Sequence, residues 1–230
     1  MSIKIIVSYD GTANEDDAIA LGRMFGQAGA QPALAYVRHA HEATSERENS
    51  AQEEAQRLLA RGTELLGDAD AERYVVTDPS TPEGLAALAD QEGAEMIVFC
   101  SDSHTAKGHV AIGNSAERLL EGGSTAVAIA PVDIAEKLDQ GGIRTIVAVG
   151  DGEGGARDTA QSLADAVGGS VAPVANDQTD LLVFDSRGDA EPGRISISAS
   201  ASHLIEIATC PVLVLPRGVK LHFGQTAVTA

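Results

Sequence analysis

The chain has 230 residues, which is enough for one large domain or two modest ones, each with a hydrophobic core. It carries 34 acidic and 16 basic side chains, so its formal net charge at neutral pH is −18. A surface of that sign repels nucleic acid and anionic membranes, and we expect neither as a partner.

Strands and helices alternate through the first 130 residues. Ile3–Tyr9 is an apolar run rich in β-branched residues, which is typical of a buried strand. Asp10-Gly11-Thr12 ends this strand, and apolar residues at helical spacing follow in Asn14–Gln27. Arg38–Glu48 is polar and is interpreted as a loop. Further strands are predicted at Ala33–Val37, Tyr74–Thr77, Met96–Cys100 and Thr125–Ala130, and further helices at Ser50–Leu66, Pro82–Gln91 and Ser115–Glu121. This alternation predicts an α/β fold, with a parallel five-stranded sheet and helices on both faces.

Part of this pattern occurs twice. Phe99–Pro131 and Phe184–Pro216 align without a gap, each pair of residues lying 85 positions apart. Each copy has an apolar run, a polar loop with glycine, a short helical segment and a second apolar run that ends in proline. The matching pairs include Ser101 with Ser186, Gly108 with Gly193, Leu119 with Leu204, and Val127 with Val212. The repeat predicts two related halves in one chain.

The second half is shorter than the first. Its opening strand, Ile143–Val149, and its Asp151 align with the start of the chain at an offset of 141 rather than 85. The difference equals one helix, one strand and one helix, so the second half lacks counterparts of roughly Ser50–Gln91. We predict a complete domain at 1–132, a linker at 133–142, a truncated domain at 143–217 that depends on the first for stability, and a tail without a clear pattern at 218–230.

Two loops of the first half are expected to meet at one edge of the sheet. In open α/β sheets, ligands bind beyond the carboxyl ends of the strands, and both Asp10–Thr12 and Ser101–Gly113 follow a predicted strand. A long loop that leads into a helix presents backbone N–H groups suited to phosphate oxygens. Asn114 or Ser115 is expected to cap that helix, and Asp10 to accept hydrogen bonds from ribose hydroxyls.

At these residues the chain resembles the universal stress protein family. The segments that carry the resemblance are IIVSYDGTANEDDAIALG near the start, IGNSAERLL after the long loop, and TCPVLVLP near the end. Together they cover nearly the whole chain as a tandem pair. The resemblance implies the family's α/β architecture, a role in stress adaptation, and pairing through the last strand of each half. We therefore expect Thr125–Ala130 to pair with Cys210–Leu215 inside the chain.

The resemblance also implies an adenine nucleotide site, ATP with magnesium, in the first half. ATP-binding members carry G-x2-G-x9-G-[S/T], which becomes Cys100, Ser103, Gly113 and Asn114 here. Only the third glycine is kept, and in the second half only the middle one, Gly188, is kept. The implied contacts are Asp10, Gly11 and Thr12 after the first strand, Val37 at the adenine, and Ser101, Ser103, Gly113, Asn114 and Ser115 at the phosphates.

A glycine-rich segment leaves a different ligand open. Gly150–Gly155 fits G-x-G-x-x-G between a predicted strand and a predicted helix, which is the context of a dinucleotide site. Asp151 and Glu153 lie inside that loop, where they would repel a pyrophosphate. We therefore favour a flexible turn.

No arrangement of residues in the sequence favours catalysis or a metal site. His39 and His41 lack a third ligand at suitable spacing, and no Ser–His–Asp or Cys–His pairing can be assembled. The two cysteines, Cys100 and Cys210, form no paired motif, and no apolar run reaches the ~20 residues of a membrane span.

We therefore expect a cytoplasmic, non-catalytic regulatory or adaptor protein. An ATP sensor with weak ATPase activity and a dinucleotide-binding module are the alternatives. Sheet edges left by the truncation also favour a homodimer.

Overall fold

Helices and strands alternate along the described part of the chain. The computed structural model describes residues 2–12, 14–42, 44–102, 104–150 and 155–224. The strands are β1 Lys4–Ser8, β2 Gln31–Arg38, β3 Arg73–Thr77, β4 Met96–Cys100, β5 Ala126–Ala130, β6 Thr145–Val149, β7 Ser170–Ala172, β8 Leu181–Phe184 and β9 Val212–Val214. The helices are α1 Glu15–Gln27, α2 Ser45–Leu66, α3 Thr81–Glu92, α4 Asn114–Leu120, α5 Ala135–Gly141, α6 Ala156–Val167 and α7 Ala199–Glu206.

The strands form one continuous sheet in the order β3-β2-β1-β4-β5-β9-β8-β6-β7. Neighbouring strands run parallel within each half, whereas β5 and β9 run antiparallel where the halves meet. The predicted pairing of the two closing strands is confirmed by the register Val127 with Val214 and Ile129 with Val212. The two halves therefore share one sheet and do not form two separate domains with a sheet each.

The second half repeats the first with one block missing. β6, β7, β8 and β9 pair with one another as β1, β2, β4 and β5 do. Only residues 173–180 connect β7 to β8, where the first half has α2, β3 and α3 between β2 and β4. The predicted loss of a helix–strand–helix block agrees with this topology. Below, residues at the same place in the two halves are called counterparts.

Buried side chains form one layer on each face of the sheet. One hydrophobic cluster lies under α1, α2, α5 and α6, and it continues across both halves through Leu213 and Val183. The other lies under α3, α4 and α7 and includes Leu85, Phe99 and Phe184. Because both clusters cross from one half to the other, the core stabilises the chain as a unit.

The predicted loop at Arg38–Glu48 is shorter than expected. β2 continues to Arg38, and α2 begins at Ser45, where the Thr44 side chain accepts a hydrogen bond from the Arg47 amide. The buried Arg38 guanidinium donates to both carboxylate oxygens of Glu48, at 2.8 and 3.0 Å. This bidentate pair ties the end of the strand to the first turn of the helix.

The segment predicted as a linker, 133–142, contains the helix α5. The buried Asp17 of α1 accepts hydrogen bonds from the amides of Asp133 and Ala135, at 2.8 and 3.0 Å. A carboxylate at the start of a helix satisfies amides that otherwise lack a partner. Asp17 thus fastens α5 onto the first half.

The described part of the tail also packs onto the core. Leu221 is fully buried, and its amide donates to the Thr159 hydroxyl at 3.0 Å. The Phe223 ring stacks on Phe25 with centroids 5.6 Å apart, and the Gly224 amide donates to the Ala28 carbonyl. The segment 219–224 therefore joins α6 of the second half to α1 of the first.

The missing block leaves apolar side chains uncovered. Val174 is 70% exposed, although its first-half counterpart Ala35 is buried. Leu204 is 36% exposed, whereas its counterpart Leu119 is 7% exposed in the cluster beneath α3. Both lie on the face that a counterpart of α3 would cover, and Ile207 is exposed nearby on the same helix end.

Candidate functional site

Two of the predicted nucleotide contacts line one cavity in the first half. A cavity of about 320 Å³ opens at the carboxyl ends of β1 and β2, and Asp10 and Val37 are among its lining residues. The carboxylate of Asp10 is exposed and accepts a hydrogen bond from the Thr12 amide at 3.0 Å. The structure thus brings together the residues implied at the ribose and at the adenine.

A buried carboxylate lies beneath this loop. Glu15 is 5% exposed, and one of its oxygens accepts hydrogen bonds from the amides of Asp10 and of Gly11, the latter at 2.7 Å. Burial raises the pKa of Glu15 to about 8, and the nearby charge of Asp10 raises it further in the same direction. Glu15, Asp16 and Asp17 are all acids of the first turn of α1, and the periodicity of the sequence does not reveal which of them turns inward.

Ser101 has a structural role that the sequence did not indicate. Its side chain is buried; the hydroxyl donates to the Ala130 carbonyl at 2.7 Å and accepts from the Ala111 amide at 3.1 Å. These bonds join the end of β4 to the end of β5 and to the returning arm of the long loop. With both partners inside the fold, the Ser101 hydroxyl is not directed at a phosphate. Ser103, predicted beside it, lies outside the described residues.

The second half makes the same loop. The Ser186 hydroxyl donates to the Leu215 carbonyl at 2.7 Å and accepts from the Ser196 amide at 3.1 Å. These bonds repeat those of Ser101 at counterpart positions. Gly108 and Gly193 both adopt positive φ, 76° and 74°, which glycine tolerates best. The two loops therefore have the same structure in both halves of the chain.

Each loop also contacts the opposite half. The Val110 amide donates to the Ala208 carbonyl at 3.0 Å, and its counterpart Ile195 donates to Gly123 at 2.8 Å. These reciprocal bonds lie beside the β5–β9 pair. The loops that resemble phosphate loops thus also hold the two halves together.

The start of α4 differs from the start of α7. Gly113, not Asn114 or Ser115, is the N-cap residue of α4, and it provides no side-chain cap. Asn114 is exposed and Ser115 half-buried. The counterpart of Gly113 is Ser198, which has nearly the same backbone angles. The Ser198 hydroxyl caps α7 by accepting a hydrogen bond from the Ala201 amide at 3.1 Å.

The backbone conformation at position 113 does not require glycine. Its φ is −75°, and a Cβ added there would meet nothing within 4 Å. The missing side chain leaves open space beside the first amides of α4.

At the described ends of the glycine-rich segment, Gly150–Gly155, other parts of the chain occupy the space that a ligand would need. The Ala156 amide at the start of α6 donates to the Asp185 carboxylate at 2.7 Å, and a Cβ at Gly155 would lie 1.7 Å from the Val219 carbonyl. A pyrophosphate would need the position that Asp185 holds. Residues 151–154 of this segment lie outside the described residues.

Histidines and cysteines of the described residues offer little chemistry. His39, His41, His104 and His109 are exposed, and no three His, Cys, Asp or Glu side chains in the described part lie close enough together to hold a metal ion. Cys100 and Cys210 are free thiols, and burial raises their pKa values to about 12 and about 11. Neither thiol is therefore activated as a nucleophile. No helix in the part of the chain that the structure describes has the length and apolar character to cross a membrane.

Comparison with known proteins agrees with this architecture. The chain is similar to a universal stress protein from Archaeoglobus fulgidus DSM 4304, with a TM-score of 0.68 and 15% identity over 94% of this chain and 98% of that one. It is also similar to a functionally unknown protein from Pseudomonas aeruginosa PAO1, with a TM-score of 0.59 and 13% identity over 94% and 92% of the two chains. At these identities the likeness concerns the fold. No curated protein sequence matches the chain.

A family model supplies the assignment. The model described as the universal stress protein family matches residues 1–131, the complete first half. The second half lies beyond this match, and the shared β5–β9 register and the repeated loop relate it to the first. The chain belongs to the universal stress protein family.

Proposed function

We propose that this protein acts in a stress response as a regulatory or adaptor protein, by binding rather than by catalysis. We further propose that its first half carries a site for an adenine nucleotide and that its second half does not. The observation that carries this asymmetry is the start of the helix after each long loop. Gly113 leaves α4 without a side-chain cap, whereas Ser198 fills the counterpart position with its own hydroxyl.

The nucleoside part of the ligand is supported by the cavity beside β1 and β2. Its volume, about 320 Å³, lies at the lower end of the range for small-molecule sites. Val37 offers a buried strand end for the base, and the exposed carboxylate of Asp10 suits ribose hydroxyls. Gly113, Asn114 and Ser115 remain as groups for the phosphates, while Ser101 is committed elsewhere.

Charge sets the expected strength of binding. Asp10 and Asp102 are exposed carboxylates on the loops of this site, and no arginine or lysine lines the cavity. Phosphates would meet like charge, so we propose weak binding that depends on magnesium to offset it.

Calorimetric titration with ATP and with NAD, each with magnesium, tests this proposal. ATP should bind to the wild type and to the Ser198→Trp variant but not to Gly113→Trp, because only the latter fills the open space at α4. Equal loss in both tryptophan variants, or no heat with ATP, contradicts the nucleotide site. Phosphate release measured in the same samples should stay at the rate without protein. Release that depends on Gly113 would favour the ATPase sensor instead.

The NAD titration addresses the dinucleotide alternative. Because Asp185 occupies the first amide of α6, we expect no heat with NAD. Binding of NAD that is lost with a change at Gly150 would overturn this ranking.

We also propose that a second copy of the chain associates through the face left open by the missing α3 counterpart. Val174 and Leu204 are exposed there, and β7, which has only three residues, forms the edge of the sheet in this half. Sedimentation should then show a dimer for the wild type and a monomer for Leu204→Glu. A wild-type monomer at high concentration contradicts this part of the proposal.

A further inference from the structure

A second cavity lies between the two halves and shares no lining residue with the cavity beside Asp10. Its volume is about 820 Å³, more than twice that of the cavity beside Asp10, which is about 320 Å³. It is bounded by α4 of the first half, by α7 of the second, and by the end of the second long loop, residues 190–197. It lies on the face of the sheet that these two helices cover.

The floor of this cavity is apolar and is contributed by both halves. Ile112 and Ile197, which are counterparts, line it together with Leu120 and Ile195. The backbone beneath is already paired, since the Gly122 amide donates to the Ile195 carbonyl at 3.0 Å. The floor therefore offers contact to hydrocarbon groups and not to backbone hydrogen bonds.

The rim is acidic. Glu117, Glu121, Glu191 and Glu206 line the cavity, and Arg194 is the only basic residue among the lining residues. The Arg194 guanidinium donates to the Gly122 carbonyl at 3.3 Å, so it is held at one side. The lining thus carries an excess of three negative charges.

Helix electrostatics disfavour the placement of two of these acids, Glu121 and Glu206. Glu121 is the C-cap residue of α4 and Glu206 is the last residue of α7, whereas Glu117 lies in the first turn of α4. The C-terminal end of a helix carries partial negative charge, so carboxylates there are destabilising and cations are favourable. Glu121 and Glu206 are counterparts, which means that both halves direct a negative helix end and a carboxylate toward the same cavity.

The acids are too dispersed for a metal ion. Within the described ranges, no three carboxylate, imidazole or thiol groups come together as a metal site. An extended cation whose charges are separated by hydrocarbon would meet both the rim and the floor.

We propose that this cavity is a binding site for linear aliphatic polyamines. Their ammonium groups would pair with the glutamates of α4 and α7, and their methylene chain would lie on Ile112, Leu120 and Ile197. The proposal does not depend on the nucleotide site, because none of these residues is among the proposed nucleotide contacts.

Titration calorimetry of the full chain with spermine tests the proposal. The wild type should bind one spermine saturably, and Glu117→Gln/Glu121→Gln should bind at least about tenfold more weakly. The matched control is Glu53→Gln/Glu64→Gln, which removes the same charge from the exposed surface of α2 and should bind as the wild type does. Circular dichroism checks that all three proteins are folded.

Four results would overturn the proposal. Equal weakening in the two double variants, or displacement of spermine by equimolar magnesium, would show diffuse attraction to an acidic protein. An absence of saturable spermine binding would exclude the ligand class. Binding of a lysine-rich amphipathic peptide without binding of spermine would assign the cavity to a protein partner. Loss of ATP binding in the separate nucleotide titration has no bearing on these outcomes.

Discussion

Ala128 pairs with Leu213, and each is the other's counterpart in the repeat. On either side of this pair, Val127 faces Val214 and Ile129 faces Val212. Exchanging each residue for its counterpart in the other half reproduces the same set of pairs. An antiparallel pair with this symmetry is what a local two-fold axis between two related units produces. The chain thus contains, between its own halves, an interface of the kind that otherwise joins two identical subunits.

Replacing Leu213 tests whether this interface holds the chain together. Leu213 is fully buried at the centre of the β5–β9 pair, so we expect Leu213→Ala to lower the free energy of unfolding by about 2–5 kcal/mol. Urea unfolding followed by circular dichroism should still show one transition, because the core crosses both halves. A second transition that moves alone would mean that the halves unfold independently.

The counterparts Leu119 and Leu204 form a matched pair for the missing α3 block. Leu119→Ala should cost about 2–5 kcal/mol of unfolding free energy, since Leu119 is buried beneath α3. Leu204→Ala should cost less than about 1 kcal/mol, since Leu204 is exposed in the monomer. Both are measured by urea unfolding at a protein concentration low enough to exclude association. Similar costs would show that something covers Leu204.

The buried serines Ser101 and Ser186 make the same hydrogen bonds, so we expect equal losses of stability when either is replaced. Ser101→Ala leaves the Ala111 amide without its partner, and Ser186→Ala does the same to Ser196. We expect each to lower stability by about 1–3 kcal/mol, the usual cost of a polar group left without a bond. Thermal unfolding of the two single variants gives the comparison. If only Ser101→Ala impairs ATP binding while stability is unchanged, its hydroxyl faces the ligand after all.

A cap introduced at Gly113 should separate stability from binding. Ser198 shows that serine fits the same backbone, so Gly113→Ser should keep or raise stability by a few tenths of a kcal/mol. The new hydroxyl would compete with a phosphate for the first amides of α4, so ATP affinity should fall by about tenfold or more, which is about 1.4 kcal/mol. Chemical unfolding and calorimetry measure the two quantities. The reverse change, Ser198→Gly, should leave ATP affinity unchanged.

The buried Glu15 predicts a dependence of stability on pH. Its pKa is raised from 4.5 to about 8 in the folded protein, so the folded state binds a proton more tightly than the unfolded state does. The stabilisation from this proton is present below pH 4.5 and is lost as the pH rises to about 8. At about 1.4 kcal/mol per pKa unit, the loss is on the order of several kcal/mol at most.

Urea unfolding at pH 5, 6, 7 and 8 measures this loss against Glu15→Gln, which cannot titrate. The wild type should lose stability relative to the variant across this range. Asp17, whose pKa is also raised by burial, remains in both proteins and cancels in the comparison. A constant difference would show that Glu15 has an ordinary pKa.

The sequence by itself determined the repeat and the missing block. The repeat and the missing block depend on apolar periodicity and on the spacing of turns. Both are local properties of the sequence, and both occur in each half of the chain. Gly108 and Gly193 kept their places at positive φ in both copies. The resemblance to the family followed from motifs in the same chain, and it was this resemblance that implied the pairing of the closing strands.

Only the tertiary structure decided which way individual polar side chains face. Ser101 reaches Ala130, 29 positions away, and Asp17 reaches Asp133, 116 positions away, so no local pattern marks these bonds. Glu15 turns inward because the two loop amides above it need an acceptor, while its neighbour Asp16 remains exposed. The acidic cavity arises because a two-fold relationship brings α4 and α7 together from distant parts of the chain. Local periodicity fixes the elements, but partners contributed by remote segments fix the chemistry of the site.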